Sequence, residues 1–327
     1  MSKPFKSCLR GSIVRYLQLM EGLGRRFAHE RRVLELLDDF LADIKARSFR
    51  RQPFDAWCAT LAHLSSTSRR NAMRIVRNFC IYRQRQLPKG FVPSTHLFPP
   101  LAPRIRPYWF SEEDITRLLR TCAGIAPVSR APLRSQVYRL AIVLLYTTGL
   151  RRGELIRLTL GDYDALARTV FVRQSKFNKS RYLALSADAQ REVDGFLRLR
   201  RSRGLSMQAQ VPLLCHGKAG LKGFSRTHLY TELHTLMATA GIRKPDGRVP
   251  RIHDYRHGFA ISVLLRSYEA GHDLQSRLPL LCAYMGHQSI VATSHYLSFV
   301  PALAAAASER FRDHYGDLVQ VEDSRHE

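Results

Sequence analysis

Apolar residues recur at helical spacing early in the chain: Val33, Leu34, Leu37, Phe40, Leu41 and Ile44 fall on one face, as an amphipathic helix requires. A further helix is expected after Ser68, in "SRRNAMRIVRNFCIYRQR". There Met73, Val76, Phe79 and Cys80 line one side, and Arg70, Arg74 and Arg77, at i, i+4 and i+7, share another. The pattern then breaks, with six prolines between residues 88 and 107. Proline removes backbone donors and blocks helix, so this stretch predicts an extended linker. Ser111 and Asp114 in "SEEDITRLL" form a capping box that opens the next helix. Further on, "YRLAIVLLYTTG" predicts a buried helix, while "TVFVRQS" and "RYLALS" predict two strands joined by a turn at 177–179. The remainder reads as mainly helical, with Ser225 and Gly241 as caps. The expected fold class is mainly α with a small antiparallel β-sheet, in two domains. Residues 1–106 form a helical domain that ends in the Pro-rich linker 88–107, and residues 107–327 form an α+β domain.

Composition supplies the first functional clue. A chain of 327 residues can bury two cores, and its net charge of +25 favours a polyanionic partner. Arginine provides 43 of the 52 basic residues, and both domains are basic: 21 basic against 7 acidic residues up to 106, 31 against 20 beyond it. An arginine-rich codon bias would account for the Arg:Lys ratio but not for the excess of positive charge. The planar guanidinium fork grips phosphate oxygens in pairs, so Arg70, Arg74 and Arg77 are candidate contacts to a DNA backbone. The longest apolar run, "LAIVLLY", is far shorter than the roughly 18 to 20 residues of a membrane span. The opening "MSKPFKSCLRGS" lacks the apolar stretch of a secretory signal, so a cytoplasmic protein with no membrane partner is expected. Six scattered cysteines without a C-x-x-C pair predict reduced thiols.

Four stretches can carry chemistry: "TTGLRRGE" with Arg151 and Glu154, "SKFNKSR" with Lys176, "HDYRH" with His253 and Arg256, and "GHQSIVATSHY" with His287 and Tyr296. A lone H-x-x-R is uninformative in so basic a chain, and a second one stands at His29 and Arg32. Together the four stretches match one reaction. Cleaving a phosphodiester without a metal requires a nucleophile, cations for the non-bridging oxygens and an acid for the leaving oxygen. Tyr296 can attack, provided that cations or a base help a phenol whose ordinary pKa is about 10. No lysine lies between Lys89 and Lys176; a lysine kept among arginines suits a general acid, because arginine holds its proton at any working pH. Arg152 competes with Arg151 for the first arginine, and the T-G-L-R order with Glu154 three residues on favours Arg151. His253 and His257, four apart, have a zinc-compatible spacing but no third ligand or glutamate in register. No metal and no cofactor are expected.

The ordered set Arg151, Lys176, His253-x-x-Arg256, Gly286-His287 and Tyr296 resembles the catalytic signature of the tyrosine recombinases, or phage integrase family. The resemblance covers residues 107 to about 300 and, more loosely, the helical N-terminal part, which is similar to that family's core-binding domain. It implies a two-domain clamp around duplex DNA and a homo-tetramer on DNA, or a tetramer shared with related recombinases. Strands would be cleaved and rejoined through a 3′-phosphotyrosyl intermediate without metal or ATP. Carried over, Arg151 and Arg256 would hold the scissile phosphate and His287 would donate to the same oxygens. His253 would act in proton transfer, Lys176 as leaving-group acid and Tyr296 as nucleophile, with Glu154 as a supporting residue. Tyr255 and Gly258 stand where leucine and threonine are commoner, and the interval between Arg256 and His287 is longer than usual. Residues 297–327, with three basic and six acidic residues, would form a helix that docks on a neighbouring protomer or on its own domain. A transposon-borne branch is one expectation. The alternatives are a type IB topoisomerase-like relaxing enzyme and a non-catalytic DNA-binding regulator.

Overall fold

The structure, a computed structural model, describes residues 4–25, 27–101, 106–129, 131–173, 180–217, 219–287, 289–294 and 296–297. The chain divides into two compact units, Met1–Ile105 and Arg106–Glu327.

The first unit is built on helices α1 (Arg10–Gly22), α2 (Ala28–Asp43), α3 (Arg51–Thr60) and α4 (Ser66–Gln84). α4 packs against α1 and α2, and α3 packs against α2. Leu34, Leu37, Leu41, Phe54, Trp57, Val76 and Phe79 are shut off from solvent at the centre. The apolar stripe of α2 ends at Leu41, because Ile44 is its C-cap and is exposed. α4 starts earlier than its sequence suggests: Ser65 is the N-cap, its hydroxyl accepting from the Ser68 amide at 3.3 Å. The described part of the proline-rich stretch, 88–101, holds no α-helix or strand but is not a loose tether. A 3-10 turn interrupts it at Thr95–Leu97. Phe98 is buried, and Phe91 and Val92 pack on the core of this unit. Aromatic anchors thus hold what proline keeps from becoming helix.

The second unit is organised around helix α6 (Arg134–Thr148). Val137, Leu140, Ala141, Ile142, Leu144 and Leu145 are all buried, and a run apolar on every side, as 140–145 is, must be covered on every side. The cover comes from α5 (Glu112–Ala123), α8 (Ala187–Ser202) and α10 (Ile252–Glu269). The Ser111–Asp114 capping box opens α5 as expected, with amide-to-side-chain bonds of 3.2 Å in both directions. After the short α7 (Arg152–Leu155), strands β1 (Tyr163–Asp164), β2 (Thr169–Val172) and β3 (Arg181–Ala184) form an antiparallel sheet in that order. Val170, paired with Leu183, and Val172 send their side chains inward, the alternation a one-sided sheet needs. The strands are shorter than expected, and the turn at 177–179 lies outside the described residues. A second small pairing, β4 (Cys215–His216) with β5 (Lys222–Gly223), precedes α9 (Arg226–Thr239). Ser225 caps α9, and Gly241 follows it at φ 70°. The long interval beyond Arg256 is occupied by the rest of α10 and by α11 (Leu274–Met285), followed by α12 (Val291–Ser294). All six cysteines are free, four of them buried. Among the described residues no helix is long and apolar enough to cross a membrane.

Candidate active site

The site is assembled from three chain reversals. The first is the end of α6 at Gly149, whose φ of 61° only glycine adopts without strain, and where a Cβ would lie 2.6 Å from Phe259 Cδ1. It delivers Arg151, whose backbone amide donates to Glu154 Oε2 at 3.1 Å and whose Nη1 donates to Oε1 at 2.7 Å. From β3, Arg181 donates to the same carboxylate through Nη2 at 2.9 Å and Nη1 at 3.2 Å. Burial pushes the Glu154 carboxyl up, but Arg181 and Arg151 outweigh it and hold the group at about 2. Glu154 is therefore a fixed anion that orients two guanidinium groups.

The second reversal opens α10. The Asp254 carboxylate accepts from the Arg251 amide at 2.9 Å, from Arg251 Nη2 at 2.7 Å and from Lys244 Nζ at 3.1 Å. Tyr255 is fully buried and stacks on Phe110 at 4.1 Å. This seats the face that bears His253, Arg256 and His257. Tyr255 thus fills a packing position, and Gly258 faces Trp109 at ordinary contact distance. Arg256 is 1% exposed and donates from Nη1 to the Gly149 carbonyl at 2.7 Å and from Nη2 to the Met285 carbonyl at 2.6 Å. Burial, then the repulsion of Arg151, lowers its pKa to about 10, which still leaves it charged at neutral pH.

The third reversal ends α11 at Gly286, φ 65°. A Cβ there would meet Arg181 Nη1 at 2.9 Å. Arg181 Nε donates to the Tyr284 carbonyl at 2.7 Å and Arg151 Nη2 to the Gly286 carbonyl at 3.0 Å. Three arginines from three elements thus meet the carbonyls at the end of one helix, where the macrodipole carries partial negative charge.

The imidazoles and the phenol complete the cluster. His287 Nδ1 lies 2.8 Å from Thr293 Oγ1, and its ring stacks on that of Tyr296 at 6.2 Å. Tyr296 is 3% exposed, and its hydroxyl lies 3.2 Å from His257 Nδ1. The His257 ring in turn meets His253 edge to face at 4.6 Å. Burial, then Arg256 and Arg151, lowers His287 to about 4. His253 is held at about 4 by burial, then by Arg256, Arg251 and Arg151; because the residue as a whole is exposed, the cationic neighbours are the firmer cause. Both imidazoles are neutral at pH 7. Burial raises the Tyr296 phenol, while Arg256 and Arg151 pull it only part of the way back. The hydroxyl is protonated at neutral pH and needs a base in order to attack.

The structure brings Arg151, Glu154, Arg256, His287 and Tyr296 into one enclosure, with His253 beside it. Arg152 instead places its guanidinium over the Tyr230 ring at 5.4 Å. Lys176 lies outside the described residues. The second H-x-x-R is elsewhere, on α2, with His29 Nε2 3.0 Å from Asn71 Nδ2. Of the three arginines on α4, Arg70 donates to the Pro99 carbonyl at 2.6 Å, and Arg74, exposed, donates to Asn71 Oδ1 at 2.8 Å. Arg77 is half-buried, and its Nε has no hydrogen-bond partner among the described residues. Sequence reasoning missed two residues. Arg181 carries no local signal, because its contacts are to Glu154 and to the Tyr284 carbonyl, far away in the chain; the sequence marks His257 only through its zinc-compatible spacing from His253.

A model of the phage integrase family matches residues 108–300. A candidate integrase/recombinase of Sinorhizobium fredii, y4rB, is 31% identical over 316 residues, 95% of this chain and 99% of the relative. The tyrosine recombinase XerD of Halalkalibacterium halodurans is 30% identical over 235 residues, 71% of each chain. Among solved structures, the Tn1549 transposon integrase in complex with transposon right end DNA shares the fold at a TM-score of 0.65, with 17% identity, over 91% of this chain and 98% of that one.

Proposed function

The chain belongs to the phage integrase family and is a site-specific recombinase of the tyrosine class; from that premise we propose that Tyr296 is the nucleophile that breaks and reseals duplex DNA. Its Oη forms a bond to phosphorus while the bond from phosphorus to the 5′ oxygen breaks, leaving a 3′-phosphotyrosyl ester and a 5′ hydroxyl. Arg151 and Arg256 hold the non-bridging oxygens as charge builds, His287 donates to them, and Glu154 keeps Arg151 aimed. His253 serves in proton transfer, and Lys176 protonates the departing oxygen. The ester conserves the energy of the broken bond, so resealing requires neither ATP nor a metal.

The observation that carries this reading is the convergence of Arg151 and Arg256 on the Met285–Gly286 carbonyls, one residue before the histidine on which Tyr296 stacks. Cations drawn from distant parts of the chain have little other reason to crowd beside a buried phenol. Duplex DNA is the partner that the family and the charge support, with α4 supplying backbone contacts through Arg74 and Arg77. We take the active assembly to be a tetramer on DNA, and ends of a mobile element to be the substrate, in line with the transposon integrase that shares the fold. The test is a nicked suicide duplex bearing such ends. A covalent protein–DNA band is expected in the presence of chelator and should be lost in Tyr296→Phe while gel-shift binding persists. Adduct formation that depends on divalent metal would overturn the mechanism.

A further inference from the structure

The inference concerns His257 and rests on the assignment of Tyr296 as nucleophile. We propose that His257 takes the phenol proton when Tyr296 attacks, in place of the proton-transfer role that the family pattern gives to His253.

The geometry is direct. The Tyr296 hydroxyl lies 3.2 Å from His257 Nδ1, and the two rings meet at 62° with centroids 5.4 Å apart. With the phenol O–H as donor and Nδ1 as acceptor, the pair is within the reach a general base requires. The base is also well seated, one turn beyond His253 on the stretch of α10 that Asp254 fixes through Arg251 and Lys244. The phenol is buried and cannot rely on bulk water to take its proton.

The charged groups around the pair come from several elements: Arg256 on α10, Arg151 before α7, Glu154 on α7 and Arg181 on β3, with the neutral imidazoles of His253 and His287 beside them. With Arg151 and Arg256 already facing the phenol, a proton moved onto His257 adds a third positive charge beside it. A phosphate seated between the two guanidinium groups supplies negative charge, more of it as the phosphorane-like state forms, and makes an imidazolium acceptable. The scissile phosphate thus favours transfer of the phenol proton to His257. In cleavage the Oη–P bond forms as the proton moves to Nδ1, and the leaving 5′ oxygen takes its proton from the separate acid. In resealing the 5′ hydroxyl attacks, the P–Oη bond breaks, and the imidazolium returns its proton to the phenolate oxygen.

The experiment compares single-turnover adduct formation by wild type, His257→Ala, His257→Asn and Lys176→Ala. Two suicide duplexes are used, one with a normal scissile phosphate and one with a 5′-bridging sulfur, a leaving group that needs no acid. Binding is followed by gel shift and folding by thermal melting. His257→Ala is expected to form adduct about 10²-fold more slowly near neutral pH. The defect should shrink as pH rises toward the phenol's own ionisation. His257→Asn, which can accept a hydrogen bond but not a proton, should remain slow, and bridging sulfur should restore Lys176→Ala but neither His257 variant. A His257→Ala rate within about threefold of wild type, a defect equal at every pH, or rescue by bridging sulfur would overturn the proposal. If His257→Ala does not fold, the Asn variant decides by the same criteria. Persistent adduct in Tyr296→Phe would instead show that the nucleophile assignment had failed, and this inference with it.

Discussion

Two buried arginines in the same unit invite comparison. Arg200, on α8, is fully enclosed and donates to the carbonyls of Ser206 at 2.8 Å, Pro212 at 3.0 Å and Gly220 at 2.7 Å. Arg256 is almost equally enclosed and donates to the carbonyls of Gly149 and Met285. Among the described residues neither lies within ion-pair distance of a carboxylate, and burial lowers the pKa of both. By solvation alone the two are alike, and they differ in company. Among the described residues the Cys215 thiol is the titratable neighbour that bears on Arg200, and its guanidinium closes the loop after α8. Arg256 shares its field with Arg151, Arg181, Glu154 and a phenol. Mutual repulsion among cations is a cost that folding alone gives no reason to bear, and a site built to receive an anion does. Burial of a charge is therefore a weak mark of function; crowding of like charges beside a buried phenol is a strong one.

The sharpest way to break this comparison is one conservative change at both positions. Arg256→Lys keeps the charge but loses the fork, and should slow cleavage of a suicide duplex by about 10²- to 10³-fold. Arg200→Lys should leave the cleavage rate per folded molecule unchanged while destabilising the unit by about 2 kcal/mol, because carbonyls lose their donors. Adduct kinetics and thermal melting of both variants separate the two roles, and similar losses of rate would erase the distinction. A smaller effect is expected on α4. Arg74→Ala should weaken binding a few-fold and reduce the slope of log affinity against log salt by about 0.9, with cleavage of saturated complexes unaltered. Arg70→Ala should act instead on melting, since Arg70 grips Pro99 and lies over the Phe98 ring at 5.9 Å.

The gentlest probe is pH. His287 sits at about 4 in the folded chain against an ordinary 6.5. As pH falls below 6.5 the unfolded chain binds the proton first, and stability declines until pH is near 4. Glu154 sits at about 2 against 4.5. Its contribution is complete above pH 4.5 and is lost as pH falls from there toward 2. Melting temperature should therefore fall in two stages, with His287→Gln flattening the upper stage and Glu154→Gln the lower.

Much of this was legible in the sequence, where a local rule was at work. The Ser111 capping box, the apolar run 140–145 of α6 and the strand pair 169–172 and 181–184 follow from propensity and periodicity. Arg151, Glu154, Arg256, His287 and Tyr296 could be nominated because their residue types and order fit one chemistry. Arg181 could not, since its role depends on a carboxylate 27 residues earlier and a carbonyl 103 residues later, and no local pattern encodes either contact. His257 was visible as a histidine, but which of two imidazoles one turn apart reaches the phenol depends on where the segment after Gly286 comes to rest. Arg70 shows the opposite failure: its spacing groups it with Arg74, yet proximity to Pro99 turns it inward.

The central claim is that the Tyr296 oxygen becomes bonded to DNA beside Arg151 and Arg256. The most direct measurement is to trap the covalent complex on a nicked suicide duplex in the presence of chelator, digest it, and identify the nucleotide-bearing peptide by mass spectrometry. The account predicts a 3′-phosphate ester on the peptide that contains Tyr296. An ester on any other residue, or strand cleavage that leaves no protein attached to DNA, would contradict it.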